Sequence, residues 1–550
     1  MKKTFKSFLI IAAALFAIAV AAGLFYLPSL LGDSAEPASD ADALSAVPAA
    51  SVITSVSEAD ARITFSDSGV AVTGSSAFVK TEGSSVIVSG SGVYLITGSS
   101  SEGSIKVKKG TTGVVLILQD LDLACSTTAP LSLNKATSTA VYISGTVTLT
   151  DSEDEANDTG AQNSTFEGAA IKVKSGSSAI ICGDGVLNIA GNCKNGIKGA
   201  ASSDITVSGS LTLNISSVNN ALASDGSLTV DSGTVNIVSQ NGGVKSDPDD
   251  GDSASAGILT VNGGTVSVTA AGKGFSANEI IITGGSISVD SEGDAFHADI
   301  ITVSAGDITV STGDDALHAD SVITVGTDGS ESGPRLSIVK SHEGLEAVTI
   351  NLFSGYGAIV ADDDGLNATG GTQSSGFASA ASSGSLIKIT GGTWYINSDG
   401  DGIDSNGDIT ISGGSTVVYG AADNSNSAFD YDGTATLTGG NVLAVGMSGM
   451  AQAPSCTSVS FNCSLSAGAS LVIKDSAGNE VVSSGAVKTA NSVIYSSTEL
   501  IEGETYTLYV NGSAAATAEP GVYSGFSMGG FGGGPGGFGG GPGGGRGGNR

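Results

Sequence analysis

Acidic residues recur at one place in a repeated five-residue phrase of this chain. Asp294, Asp315, Glu343, Asp364 and Asp401 each open a copy of it, as in Asp294-Ala295-Phe296-His297-Ala298 and Asp315-Ala316-Leu317-His318-Ala319. Further acids flank that position: Asp299, Asp314, Asp320, Asp362, Asp363 and Asp399, with Asp404 as the fourth residue of its own copy. If the copies stack like strands, successive carboxylates lie about 4.8 Å apart. There, two carboxylates repel by roughly 1 kcal/mol in water and about 3 kcal/mol at an effective dielectric of about 20. A hard cation relieves this repulsion, and calcium, satisfied by about six to eight oxygens in irregular geometry, is the expected one. The competing reading is that turns are rich in Asp for local reasons and each carboxylate is hydrated separately. All three histidines, His297, His318 and His342, fall in the same stretch. They are candidate metal ligands or general bases, and the simpler expectation is that His297 and His318 hydrogen-bond to Asp299 and Asp320. A zinc site would need a third ligand of equal quality, and nothing in the spacing forces one.

The elements that must position these residues are short strands. Val266-Ser267-Val268, Ile287-Ser288-Val289 and Ile308-Thr309-Val310 are spaced by 21 residues, and related triplets run from Leu187-Asn188-Ile189 to Val442-Leu443-Ala444. A second series includes Leu259-Thr260-Val261, Ile280-Ile281-Ile282, Ile301-Thr302-Val303 and Ile409-Thr410-Ile411. Alternating β-branched residues broken by Gly-Gly, Ser-Gly or Asp-Gly specify strands with one buried face. A repeat this short cannot bury its own apolar face, so it must stack on its neighbours. The expected fold is all-β, a parallel β-helix. The third residue of the five-residue phrase is always apolar and is expected to point inward, with the first at the corner and the second and fourth outward or in the turn. The outward column of the first strand is read as Asn188, Asn214, Asn236, Ser267, Ser288, Thr309, Ser337, Ile359, Tyr395, Val418 and Leu443. In it, Tyr395 is the candidate for stacking on a ligand, unless the C-terminal element or the Thr369–Ser385 insertion covers that face; Trp394 is assigned to the core.

The chain has 550 residues, 82 of them Gly, and a net charge of -32 from 54 acidic and 22 basic residues. That balance argues against nucleic acid and anionic lipid as partners and makes divalent cations the natural counter-ions. Lys2, Lys3 and Lys6 precede an uncharged apolar run, Phe8 to Leu27, long enough to cross a bilayer. Residues 1–31 are therefore read as a signal peptide cleaved near Ala19-Val20-Ala21 or as an uncleaved membrane anchor; either places the rest outside the cytoplasm. Residues 32–61 read as a linker, 62–454 as the β-helix with irregular coils to about 168, 455–520 as a C-terminal β cap, and 521–550 as a disordered Gly-rich tail. Asp151–Gly168 is an acidic insertion. Five cysteines leave at least one unpaired; Cys456 and Cys463 are a possible pair, and Cys182 is placed on an inward strand position. A monomer is expected.

The phrases GGSISVDSEGDAFHADIITVS, GDDALHADSVITV, SHEGLEAVTI, DDDGLNATGG and SDGDGIDSNGDITISGGSTVVYG closely resemble the carbohydrate-binding domain family of clostridial cell-surface proteins. The resemblance runs from about Ile63 to Gly512. It implies a right-handed parallel β-helix of pectate-lyase type, calcium in the coils, and binding of plant cell-wall polysaccharides such as cellulose and polygalacturonate. The early copies Asn195-Gly196-Ile197-Lys198 and Asn220-Ala221-Leu222-Ala223 depart from the family's Asp-Gly-Ile-Lys, which removes the acid calcium would use there. Three functions follow. The first is a cell-surface polysaccharide-binding protein. The second is a calcium-dependent pectate lyase, with Lys273 or Arg335 as base. The third is a structural adhesin.

Overall fold

A computed structural model of the protein describes residues 59–158, 166–247, 257–369 and 384–523. The N-terminal apolar run, nearly all of the linker, the middle of the acidic insertion, the 370–383 segment and residues 524–550 of the tail lie outside them. Among the described residues no helix is long and apolar enough to cross a membrane.

One coil shows how the chain is built. Thr265–Ala270, Phe275–Ala277 and Glu279–Ile282 are its three strands, and Ser286–Ser291 begins the next coil. Each strand pairs in parallel with its counterpart one coil on: Val266 with Ile287, Phe275 with Phe296, Ile280 with Ile301. The pattern continues through most of the described chain, giving a long, mostly parallel sheet; among the described residues the one helical element is a short turn, Glu155–Asn157. In three coils the second and third strands merge, as Phe296–Val303, Leu317–Val325 and Leu345–Leu352. The register also supplies a copy that a search for polar first residues overlooks: Val244 pairs with both Leu222 and Phe275, so Gly242-Gly243-Val244-Lys245-Ser246 is one more copy.

Parallel stacking puts like on like. Inside, the rings of Phe275 and Phe296 stack 4.8 Å apart and 13° from parallel. Beside them Ser217 Oγ donates to Ser239 Oγ at 3.1 Å, and Ser291 Oγ to Thr312 Oγ1 at 3.1 Å, so hydroxyls buried in the core satisfy each other. Outside, Asn214 Nδ2 donates to Asn188 Oδ1, and Asn236 Nδ2 to Asn214 Oδ1, both at 2.9 Å. The Gly-Gly turns have a backbone reason: Gly233, Gly264, Gly285 and Gly306, at one turn of successive coils, have φ of 93°, 81°, 93° and 105°.

Several orientations differ from the sequence reading. Ile359 pairs with Ile338 and Ile396, and Val418 with Ile396, so both are core residues. The outward column instead runs Ser337, Ala358, Tyr395, Val417, Leu443. Two consecutive apolar residues in these later strands hide the alternation. Cys182 lies on the outward face of Ser178–Gly183 and is half-buried, and all five cysteines are free thiols. The second residue of the five-residue phrase is not outward either: Ala295 and Ala316 are fully buried. Space there is tight. A Cβ on Gly365 would lie 2.2 Å from Ile396 Cγ2 and 2.5 Å from the Gly402 carbonyl oxygen.

At the C-terminal end the parallel run meets antiparallel partners. Asn441–Gly446 pairs antiparallel with Ala490–Ser497, which pairs in turn with Thr457–Leu465. The expected hairpin is present within a separate four-stranded sheet of Glu480–Gly485, Ser470–Lys474, Tyr506–Val510 and Ser513–Ala518. A second apolar cluster joins Val417, Tyr419 and Leu443 to Val459, Phe461 and Tyr495.

Because the interior tolerates no branched side chain at the second phrase position, Gly365→Val should destabilise the fold by about 3 kcal/mol, the upper range for overpacking. Urea unfolding reads this as a lower midpoint. An unchanged midpoint would contradict the tight-column account.

Candidate metal centre and outer face

The fourth residue of most phrase copies faces outward beside buried neighbours, Ser132 and Ala223 being buried themselves, and register makes these residues one column. From the N-terminal side it reads Lys106, Ser132, Lys172, Lys198, Ala223, Lys245, Ser276, His297, His318, Glu346, Asn367, Asp404 and Asp430. The column is basic at one end and acidic at the other, and the two histidines stand where the sign changes. Glu346 and Asp430 were missing from the sequence-derived site. They occupy the phrase position already populated by His297, His318 and Asp404, so aligning every copy at that position would have found them.

The first-position acids are not solvated corners. Asp294 and Asp315 are 4% and 6% exposed. Each carboxylate tends to receive the backbone N–H one coil on: Glu343 N donates to Asp315 Oδ1 at 3.1 Å, Asp401 N to Asp364 Oδ1 at 2.6 Å, and Ser427 N to Asp401 Oδ1. Toward the acidic end these hydrogen bonds do not offset burial. Burial, opposed by the Asp401 N–H and reinforced by Asp363 and Asp430, pushes Asp364 up to about 6. Burial and neighbouring carboxylates push Asp401 and Asp404 to about 7 each. Burial and Glu346 raise Glu343 to about 8, although Asn367 Nδ2 donates to both its oxygens at 3.0 Å. These groups hold their charge poorly without a cation.

At the sign change the acids are partnered. Lys273 Nζ lies 3.0 Å from Asp294 Oδ2, and His297 Nδ1 lies 2.9 Å from the same oxygen. Burial alone would raise the Asp294 carboxyl; His297 and Lys273 instead hold it well below the usual carboxylate range. His318 Nδ1 is 3.1 Å from Asp315 Oδ2 and 3.3 Å from Glu346 Oε2. The Asp315 hydrogen bond, helped by Glu346 and opposed by burial, lifts His318 to about 9. The imidazoles therefore do not turn toward Asp299 and Asp320 as expected. His318 Nε2 comes no nearer Asp320 than 4.0 Å, and the register shift after Ala298 carries Asp299 around the next corner. There burial and Asp320 raise the Asp299 carboxyl.

Three groups among the described residues bring their ligand atoms within 4.8 Å of one another: Asp294, Asp314 and Asp315; Asp294, His297 and His318; Asp315, His318 and Glu346. The first is all oxygen and fits calcium. The other two mix imidazole nitrogen with carboxylate, a donor set that calcium does not favour. None of the three includes Glu343, Asp363, Asp364, Asp399, Asp401 or Asp404. Of these, Asp399 is engaged by Lys488 Nζ at 2.8 Å, and Asp363 Oδ2 lies 3.8 Å from His342 Nε2.

A separate patch lies on the first-strand face. Tyr395 is 41% exposed; its ring centroid is 5.8 Å from that of Tyr356, and the Arg335 guanidinium sits 4.7 Å over the Tyr356 ring. The C-terminal element covers the next outward residues, Val417 and Leu443, and stops short of Tyr395. Near the basic end a groove of about 490 Å³ is lined by Lys80, Lys106, Lys108, Lys109 and Asn134.

A sequence profile described as that of a carbohydrate-binding domain-containing protein matches residues 82–344 and 276–427, together more than half of the chain. No curated protein matches it. Among solved structures, a polysaccharide lyase-like protein from C. thermocellum, studied as a gadolinium derivative, is 21% identical with a TM-score of 0.36. That match covers 48% of this chain and 96% of the other. By the extent of the profile match, the chain belongs to the carbohydrate-binding domain-containing family.

Proposed function

We propose that this chain is an extracytoplasmic, cell-surface polysaccharide-binding protein that takes plant cell-wall glycans and holds calcium in its acidic turns. In this reading the solenoid is right-handed, as parallel crossovers nearly always are, and the 455–520 element closes its C-terminal edge. The N-terminal apolar run exports the chain and tethers it if uncleaved.

The observation that carries the glycan reading is the Tyr356–Tyr395 pair with Arg335 beside it. A pyranose ring lies flat on an exposed aromatic face, and a guanidinium pairs with a carboxylate in the plane of its fork. That combination favours polygalacturonate over neutral cellulose. Lys273 is engaged by Asp294, which favours binding over the lyase alternative.

Calcium is supported by the all-oxygen group Asp294, Asp314 and Asp315 and by the half-buried acids Glu343, Asp364, Asp401 and Asp404, whose charges need an offset. These residues would hold the ion; when bound, it would neutralise the turns and bridge to uronate carboxylates that the acidic surface otherwise repels.

Affinity electrophoresis tests the glycan surface. Tyr395→Ala should weaken binding to polygalacturonate about five- to tenfold, from loss of about 1 kcal/mol of stacking. Arg335→Ala should weaken polygalacturonate about tenfold or more and leave cellulose unchanged. Wild-type affinity in both variants would remove this patch from the site, and unsaturated uronate products accumulating with protein concentration would establish the lyase instead.

Melting curves test the acids. Glu343, Asp364, Asp401 and Asp404 have folded-state values of about 8, 6, 7 and 7, above their ordinary values, so their stabilisation is present below about pH 4 and lost as pH rises through 6 to 8. In chelator the protein should melt several degrees lower at pH 8 than at pH 5, and calcium should raise the midpoint more at pH 8. A flat profile, or no calcium response at pH 8, counts against calcium in these turns.

A further inference from the structure

We propose that the point where the outward column changes sign is a binding site for a borderline divalent cation of the zinc class, formed by His297, His318 and Asp294, with Asp315 and Glu346 bracketing His318. It shares Asp294 and Asp315 with the all-oxygen group proposed above for calcium and differs from it in its two nitrogen donors.

The register makes this site. Adjacent coils place His297 on His318 and His318 on Glu346. The two imidazole centroids are 4.8 Å apart with rings inclined at 57°, so the rings do not stack face to face. Both Nδ1 atoms turn toward carboxylates rather than to solvent, and each side chain is 28% exposed, leaving an approach from outside. The buried Nδ1 of His297 lies 2.9 Å from Asp294 Oδ2, so one imidazole nitrogen and one carboxylate oxygen already face each other at the spacing of neighbouring metal ligands. Asp294 Oδ2 is shared with Lys273, so the nitrogen lies beside an oxygen that is already engaged. Two imidazole nitrogens and a carboxylate oxygen with ligand atoms within 4.8 Å match the two-His, one-carboxylate set of zinc-class sites. Asp315 and Glu346, at 3.1 and 3.3 Å from His318 Nδ1, fix the orientation of that ring, as carboxylates behind a ligating histidine do. The third ligand that spacing alone did not supply comes from the first position of the same phrase, because the fold buries Asp294 beside its own His297.

The test uses the full-length protein stripped by chelator and then titrated with zinc chloride or calcium chloride, following heat of binding and melting midpoint. Zinc should bind with a stoichiometry of one and raise the midpoint. His297→Ala and His318→Ala should each weaken zinc at least about tenfold while preserving the calcium response. Asp404→Asn should leave zinc binding intact. Cobalt(II) in place of zinc should give visible absorption bands that are absent from both histidine variants. If either alanine variant folds poorly by circular dichroism, His297→Gln or His318→Gln replaces it. Zinc binding that survives loss of both histidines, or no zinc binding to the wild type, overturns the site. Loss of the calcium response alone would bear on the calcium reading and leave this site standing.

Discussion

In-register parallel stacking is the interaction on which everything else in this molecule depends. Each side chain sits about 4.8 Å from its counterparts one coil before and one coil after, so a residue type is chosen for what it does beside its own kind. Phe on Phe and Asn on Asn gain from that closeness, and the 4.8 Å separation of the Phe275 and Phe296 rings matches the strand spacing. Asp on Asp loses by it. A column of acids in such a fold is therefore held by protons, backbone N–H groups, basic neighbours or cations, and this chain uses at least two of those devices. Toward the N-terminal side Lys273 and the histidines partner the acids; farther along, backbone N–H groups cap them but leave their charge poorly offset.

The same constraint turns one outward column into a charge gradient. Lysines at its start, histidines at its middle and aspartates at its end lie on one sheet face of a chain with net charge -32. An acidic polymer and an acidic protein repel, and binding between them needs basic side chains or bridging cations. The gradient carries basic side chains at one end and carboxylates at the other. Tyr395 and Arg335 lie on a different face, the first-strand sheet, where the C-terminal element leaves one stretch of the outer surface uncovered.

Most of the fold was legible in the sequence because inward positions are β-branched or aromatic in nearly every coil and glycine turns separate them. Legibility failed where alternation breaks. In Tyr356–Ala361 and Ser415–Tyr419 apolar residues occupy both faces, so Ile359 and Val418 were read one residue out of register. The acidic column was legible as a list of residues but not as an environment. Nothing in a sequence says that Asp294 is buried, that its carboxylate lies beside its own His297 rather than Asp299, or that a bulge after Ala298 takes Asp299 away. Glu346 stands at the fourth position of its phrase, the one that His297 and His318 occupy, and not at the first, where the acids recur most visibly along the chain.

The central claim is that cations neutralise the buried acids of the turns. Crystals grown in calcium chloride and measured for anomalous scattering test it most directly. The account expects calcium density among the carboxylate oxygens of Asp294, Asp314 and Asp315. Carboxylates in that turn held by water and protein groups alone, with no anomalous peak at neutral pH and millimolar calcium, would contradict it.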